Sequence, residues 1–237
     1  MTDTQAATTD IRRALVDTLR AARATERTVF EAFDAADRDT PPADGEWSPK
    51  DIQAHLGAWR RHMSDRLAAI REGRPEPEGG GETDATNAVI HAERADWPWD
   101  RVAADAEASA TDLVAEVEAA DDATLAVDRT VGSIMGNGAE HTIIHAGSVA
   151  DRVGLESAVA DLSGHIETIV DRGGWPPRSA AFARYNLACF HALAGRLDEA
   201  RRLLRIALPV EGDLRDFAVE DSDLVPLRDE LPELARG

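Results

Sequence analysis

Apolar residues recur every three or four positions along most of the chain, which is the spacing of amphipathic α-helices. The first such stripe lies between residues 10 and 36 and consists of Ile11, Leu15, Leu19, Ala22, Val29, Phe30 and Phe33. A second stripe follows Ser48, which is placed to cap a helix, with Pro49 in the first turn and Asp51 completing a capping box. It continues through Ile52, His55, Leu56, Trp59, Met63 and Leu67. The pattern predicts two long helices joined by the Pro- and Gly-containing connection at residues 37–45.

Two further long helices are predicted in the first two thirds of the chain. One begins at Trp97 and has its apolar stripe between Val102 and Val117, and the other covers residues 139–152. A short helical piece is expected at 84–94, after a Gly- and Pro-rich flexible loop at 73–82. Four long amphipathic helices predict an all-α protein with a four-helix bundle over residues 1–153.

The pattern changes after Gly154, where we place a domain boundary. Helices are expected at residues 155–171, 180–194 and 197–208, with shorter elements near 213–217 and from 224 onward. Residues 154–237 therefore form a second, smaller helical unit.

Charge and composition narrow the functional classes. The 237-residue chain has a net charge of −19, which argues against nucleic-acid binding because such binding needs a basic surface. The acidity is interpreted as a solvated surface, the alternatives being a high-salt cytoplasm or a cationic partner. No run of 18 apolar residues is present, so no membrane span is expected. The N-terminus lacks a signal-peptide pattern, and a single cysteine fits a reducing compartment, so a cytoplasmic location is predicted.

Candidate chemistry is concentrated at three histidines. His141 and His145 are four residues apart, so their Cβ atoms would lie roughly 5–6 Å apart on one helix face, close enough to bind one divalent cation. His55 lies on the apolar stripe of the second helix, between Trp47 and Trp59, and is the candidate third ligand. Three neutral imidazoles leave a coordination position open, as in catalytic zinc sites. The alternative is a hydrogen-bonded or solvated histidine pair.

Other side chains near these histidines allow two interpretations each. His62 is a candidate fourth ligand or proton shuttle, or else a partly exposed helix histidine. Arg152 is a candidate for binding an anionic substrate group, or else a surface ion-pair partner. Glu140 either orients a ligand imidazole or is a surface carboxylate. Trp59 and Trp99 either wall a substrate pocket or belong to the core.

The remaining histidines and the cysteine are interpreted as structural. No histidine partner lies at metal-ligand spacing from His91, His165 or His191 in the sequence. Cys189 has no nearby base in the sequence and is expected to be a small buried hydrophobic residue.

Two segments resemble a known family. Trp47-Ser-Pro-Lys-Asp-Ile-Gln-Ala-His55-Leu-Gly-Ala-Trp59 and Glu140-His141-Thr-Ile-Ile-His145 are similar to motifs of the DinB-like four-helix-bundle superfamily, near the branch of the colibactin self-protection proteins. The resemblance implies that His55, His141 and His145 bind a divalent metal, zinc or nickel. It also implies a metal-dependent enzyme of detoxification or stress type. The expected reaction on a small molecule is S-transfer from a low-molecular-weight thiol cosubstrate, or hydrolysis at an electrophilic centre.

Residues 155–237 resemble tetratricopeptide repeats. The resemblance rests on Asn186-Leu-Ala-Cys, on Gly195-Arg-Leu-Asp-Glu-Ala200 and on the spacing of Ala188, His191, Ala200, Leu204 and Ala207. His191 replaces the usual aromatic residue, and one full repeat is present, so the unit is expected to pack on the bundle or on a second subunit. The resemblance implies a protein partner or self-association. The second hypothesis is therefore a non-catalytic protein that sequesters a small ligand and recruits a partner, although the three histidines favour an enzyme.

Overall fold

The computed structural model describes residues 3–43, 45–77, 83–172 and 175–236, with side chains from residue 10 onward. Within these ranges the regular structure is helical and no strand is present, which confirms the predicted all-α class. The helices are α1 (Asp3–Glu31), α2 (Pro49–Glu72), α3 (Thr83–Arg94), α4 (Trp99–Ala119), α5 (Asp122–Leu125), α6 (Asp128–Met135), α7 (His141–Gly147), α8 (Glu156–Asp171), α9 (Pro177–Leu193), α10 (Leu197–Ala207), α11 (Gly212–Glu220) and α12 (Leu231–Leu234).

The bundle consists of α1, α2, α4 and the combined α6–α7 helix. Helix α2 packs along α4, while α1 contacts α2, α4 and α7, so the apolar stripes meet in a shared core. The short α3 lies against α2 at the predicted place. This arrangement brings α2 and α7, which carry the three candidate histidines, into contact.

The start of α2 follows from its local sequence. The Ser48 hydroxyl accepts a hydrogen bond from the Asp51 backbone amide, and the Asp51 carboxylate accepts one from the Ser48 amide, each at 3.2 Å. Pro49 occupies the first turn, where its missing amide hydrogen costs nothing. The helix ends at Gly73, whose φ of 65° suits glycine. These signals fix the register that turns His55 into the core.

The last bundle helix differs from its prediction. It begins at Asp128 rather than at residue 139, and it passes through a π-helical turn, Gly136–Glu140, before it ends at Gly147. The glycines of this segment resemble helix breakers, but Gly138 serves packing. A Cβ atom there would lie 2.1 Å from Leu19 Cδ2, so glycine permits the close approach of α1. After Gly147 a 3₁₀ turn, Ala150–Val153, leads to Gly154 with a φ of 67°.

The C-terminal helices pack directly on the bundle. Helix α8 lies against α1 and α7, and α9 contacts α6, α7 and α10. The buried apolar residues form one continuous cluster that extends from α1 to α12. Gly154, the predicted boundary, lies in a turn of the backbone, and the division of the chain into two domains there stays a prediction. The α9–α10 helix pair lies where it was expected, while its assignment to the tetratricopeptide repeats stays a prediction.

Helix α9 takes its N-terminal cap from the bundle. The Asp128 carboxylate accepts hydrogen bonds from the backbone amides of Arg178 at 2.9 Å and Ser179 at 2.7 Å. Asp128 is the first residue of α6, so the two helix starts are joined side by side. Pro176, the residue before α9, has no side chain that can accept a hydrogen bond, so the Asp128 carboxylate caps the first backbone amides of the helix instead.

Parts of three predicted connections lie outside the described residues: position 44 of the connection at 37–45, positions 78–82 of the loop at 73–82, and positions 173 and 174 between the helices expected at 155–171 and 180–194. In the ranges that the structure describes, every helix is too short or too polar to cross a lipid bilayer.

Candidate metal centre

The three candidate histidines meet at the contact between α2 and α7. One ring nitrogen of each lies within 4.8 Å of the others. The ring centroids are 5.5 Å apart for His55 and His141, 4.8 Å for His55 and His145, and 5.2 Å for His141 and His145. His141 and His145 occupy successive turns of α7, while His55 reaches them from the second turn of α2.

Several ring nitrogens of this group are buried without a hydrogen-bond partner. His55 is 2% exposed, and neither its Nδ1 nor its Nε2 has a partner in the described part of the chain. The same holds for His141 Nδ1. A buried polar atom left unpaired costs about 1–3 kcal/mol. A cation coordinated by one nitrogen of each ring would remove that cost for the coordinating atom, so the donor set fits a metal ion.

The environment keeps all three imidazoles neutral. Burial, assisted by the neighbouring His145 and His141, lowers the pKa of His55 to about 2. Burial also lowers the pKa of His141 to about 3, with His145 and Arg60 contributing, and lowers that of His145 to about 4. Because a metal ion binds the neutral imidazole, the lone pairs are available at neutral pH without loss of a proton.

Trp47 covers one side of the group. Its ring centroid lies 4.7 Å from that of His55 and 6.4 Å from that of His145. His91 of α3 stacks on the same indole at 5.7 Å with nearly parallel rings. His91 is thus a neighbour of the site through Trp47, although its nitrogens lie outside the group within 4.8 Å.

Trp59 covers a second side. It meets His55 at 6.3 Å and His141 at 5.8 Å, in both cases edge to face. Its indole nitrogen donates a hydrogen bond of 3.1 Å to Asn87 Oδ1 on α3, which fixes the ring. Trp59 therefore lies against the histidine group, while its role as a wall of a substrate pocket stays a prediction. Trp99 is half-buried, and the guanidinium of Arg38 lies 4.5 Å above its ring.

A cavity of about 390 Å³ opens beside His145. Trp47 and His145 line this cavity, and the rings of both also contact that of the buried His55. It is lined by Pro42, Gly45, Glu46, Trp47, Ile52, His145 and Ser148. A small molecule in this cavity would lie against one of the three imidazoles.

Two further candidates lie outside the trio. His62 is half-buried, with its ring 5.8 Å from Trp59, and among the described residues it does not join the group of nitrogens within 4.8 Å. Arg152 donates a hydrogen bond of 3.0 Å to the Thr40 carbonyl, and its guanidinium lies 5.1 Å above the ring of Phe33. In this structure Arg152 holds the connection after α1, and roles for it and His62 in catalysis stay predictions.

The interpretation of Glu140 as a surface carboxylate is wrong. The residue is 3% exposed, because the π-helical turn and α9 enclose it, and its carboxylate accepts a hydrogen bond from Asn186 on α9. Burial raises the pKa of Glu140 to about 7, and the Asn186 hydrogen bond partly opposes that change. Cys189 is buried as expected, and burial together with Asp221 raises the pKa of its thiol.

A buried polar network beside the histidines was missed by the sequence analysis. The Glu26 carboxylate, fully buried, accepts hydrogen bonds from Arg60 and from Gln53 and Thr142. The signal was present in the sequence, because Glu26 lies four residues after Ala22 and four before Phe30 on an apolar stripe. A charged residue at such a position needs a buried partner.

Residues 18–149 match the DinB superfamily, and this range covers more than half of the chain and all three histidines. The chain belongs to the DinB superfamily. Domains of this superfamily commonly bind a metal ion, in agreement with the histidine cluster. No curated protein and no solved structure matches the chain.

Proposed function

We propose that this DinB superfamily protein binds a divalent cation, zinc or nickel, through His55, His141 and His145, and that it is an enzyme acting on a small molecule. The observation that carries the proposal is the convergence of three neutral imidazoles, that of His55 buried and those of His141 and His145 half-buried, whose nitrogens lie within 4.8 Å of one another. A plain helical core gains nothing from the two unpaired nitrogens of His55, since their burial lowers stability.

The proposed reaction is S-transfer from a low-molecular-weight thiol to an electrophilic carbon, or hydrolysis at such a centre. When bound, the cation would supply Lewis acidity, which lowers the pKa of a coordinated thiol or water. Three protein ligands leave room for one of these molecules. Trp47 and the cavity beside His145 would hold the electrophile, and the enclosing Trp59 would exclude bulk water from the buried side. A detoxification or stress role follows from this substrate class.

The first test is the metal content of untagged protein, measured by inductively coupled plasma mass spectrometry. We expect about one equivalent of metal in the parent, because three imidazoles form one site. The His141→Ala variant should lose the metal, whereas the matched His62→Ala variant, which removes a nearby histidine outside the group, should retain it. Parent protein that stays free of metal after incubation with zinc or nickel would contradict the proposal.

The second test separates an enzyme from a protein that only binds small ligands. The metal-loaded parent is incubated with a panel of thiols and electrophiles, and product formation is followed by mass spectrometry. Turnover by the parent and by the matched variant His191→Ala, which changes a histidine of the C-terminal helices, but not by His141→Ala, supports the enzyme. Stoichiometric ligand binding without turnover would instead support a sequestering protein.

A further inference from the structure

Glu26 joins three helices of the bundle through one buried carboxylate. It lies on α1, is fully buried, and pairs with Arg60 of α2. Gln53 Nε2 donates to Glu26 Oε2 at 3.2 Å, and Thr142 Oγ1 donates to Glu26 Oε1 at 2.6 Å. Arg23 adds a second cationic contact at 3.2 Å. These partners are almost completely buried, so their hydrogen bonds are protected from exchange with water.

The partners of Glu26 stand next to the histidines in the chain. Gln53 precedes His55 by two residues on α2, and Thr142 directly follows His141 on α7. One carboxylate therefore holds both histidine-bearing helices, at positions adjacent to the imidazoles. A sliding or separation of α2 and α7 that changed the distance between His55 and His141 would break one of these hydrogen bonds.

Arg60 adds an electrostatic component. Its side chain is 2% exposed, its Nε donates to Ser109 Oγ at 3.2 Å, and its Nη2 has no partner in the described part of the chain. Arg60 pairs with the same carboxylate oxygen that accepts the hydrogen bond of Thr142, the residue after His141, so its positive charge lies close to the site. The field of this charge opposes a bound cation, and the Glu26 carboxylate offsets it.

We propose that Glu26 is a positioning residue for the metal centre. It holds α2 and α7 at the separation that brings His55 to His141 and His145, and it neutralises the guanidinium beside the site. This inference rests on the proposed function, because it concerns the affinity of the same three histidines for a cation.

The test compares two variants that disturb the network differently. Thr142→Val keeps the shape of the side chain and removes one hydrogen bond to Glu26, while Glu26→Gln also removes the negative charge. Each variant is titrated with Co²⁺ against a competing chelator, and the visible absorption of the bound Co²⁺ is recorded. We expect Thr142→Val to bind about 10-fold more weakly and Glu26→Gln up to about 100-fold, the range typical for residues behind metal ligands. The absorption bands of both should shift, because the ligand geometry changes.

Tyr185→Phe provides the matched control. It removes a hydrogen bond of 2.6 Å to Asp221 in the C-terminal helices and is expected to lower stability without touching the network. The free energy of unfolding of every variant is measured in urea. If Glu26→Gln does not fold, Thr142→Val still decides the question.

The outcomes are distinct. A parent protein that binds neither Co²⁺ nor Zn²⁺ overturns the proposed function and this inference with it. A parent that binds, together with a Thr142→Val variant of unchanged affinity and spectrum, overturns the role of Glu26 alone. Affinity that falls equally in Tyr185→Phe would show a general effect of stability and would also overturn it. Loss confined to the network variants supports it.

Discussion

At the scale of single residues, the histidine site is destabilising to the fold that contains it. The three imidazoles lie against tryptophans and helices, and no hydrogen-bond partner among the described residues reaches either nitrogen of His55 or Nδ1 of His141. Such groups lower the stability of the metal-free protein. A cation that binds the folded protein but not the unfolded chain would raise the free energy of unfolding. Stability and metal binding are therefore coupled in this protein.

The lowered pKa values of the three histidines predict how the stability of the metal-free protein depends on pH. An unfolded histidine has a pKa near 6.5, while His55, His141 and His145 have folded values of about 2, 3 and 4. As pH falls below 6.5, the unfolded chain therefore takes up protons that the folded protein does not. The contribution of each neutral histidine to the free energy of unfolding should be complete above that pH. Below it, the free energy of unfolding should fall by up to about 1.4 kcal/mol per pH unit for each histidine.

This dependence is measured by urea unfolding of chelator-treated protein between about pH 7.5 and 5.5. Glu140 acts in the opposite direction, because its folded pKa of about 7 exceeds the unfolded value of 4.5. Its effect is smaller, since the folded protein takes up one extra proton at Glu140, whereas the unfolded chain takes up one at each of the three histidines. The His141→Ala variant should show a shallower slope than the parent. Equal slopes would contradict the expected neutrality of His141.

The sequence identified the three histidines but not the charged network behind them. The i,i+4 spacing of His141 and His145 and the capped start of α2 are local features, so the site could be predicted. Glu26 and Arg60 pair across two helices, and the partner of a charged residue on an apolar stripe depends on tertiary packing. The burial of Glu140 could not be predicted for the same reason, since α9 covers it from a distant part of the chain.

At the scale of elements, the glycines of the last bundle helix affect stability in opposite ways, depending on what lies next to each. Gly138→Ala should lower the free energy of unfolding by about 1–3 kcal/mol, because the added Cβ atom collides with Leu19 and forces α1 outward. Gly136→Ala is the matched control, since open space surrounds its position. Alanine there should raise stability by up to about 1 kcal/mol through helix propensity. Urea unfolding of both variants decides the point, and equal effects would contradict the packing role of Gly138.

Local signals explain which elements could be predicted. Helix α2 was placed correctly because its serine cap, proline and terminal glycine lie within the helix sequence itself. The predicted start of the α6–α7 helix, residue 139, lies eleven residues after the observed start at Asp128. The sequence between these positions contains three glycines, and glycine has a low helix propensity. Gly138 is needed because Leu19 of α1 packs against this position, and a contact with a distant helix cannot be recognised from the local sequence.

At the scale of the whole molecule, one continuous core predicts one unfolding transition. Leu204 of α10 is fully buried in that core. Leu204→Ala should lower the free energy of unfolding by about 2–5 kcal/mol through the cavity that it leaves. The fluorescence of the four bundle tryptophans, recorded in a Trp175→Phe background, should then lose its native signal at the same urea concentration as the far-ultraviolet circular dichroism. A fluorescence transition unchanged from that of the parent would instead show two independent domains.

The cap that Asp128 provides for α9 has an evolutionary consequence. The carboxylate lies 50 residues before the first amide that it caps, on the far side of the turn at Gly154. A gene rearrangement that moved the C-terminal helices to another protein would leave this carboxylate behind, together with the surfaces of α6 and α7 that cover α9. Recombination at the apparent boundary is therefore disfavoured, and the two parts of the chain are expected to be inherited together and to change in concert.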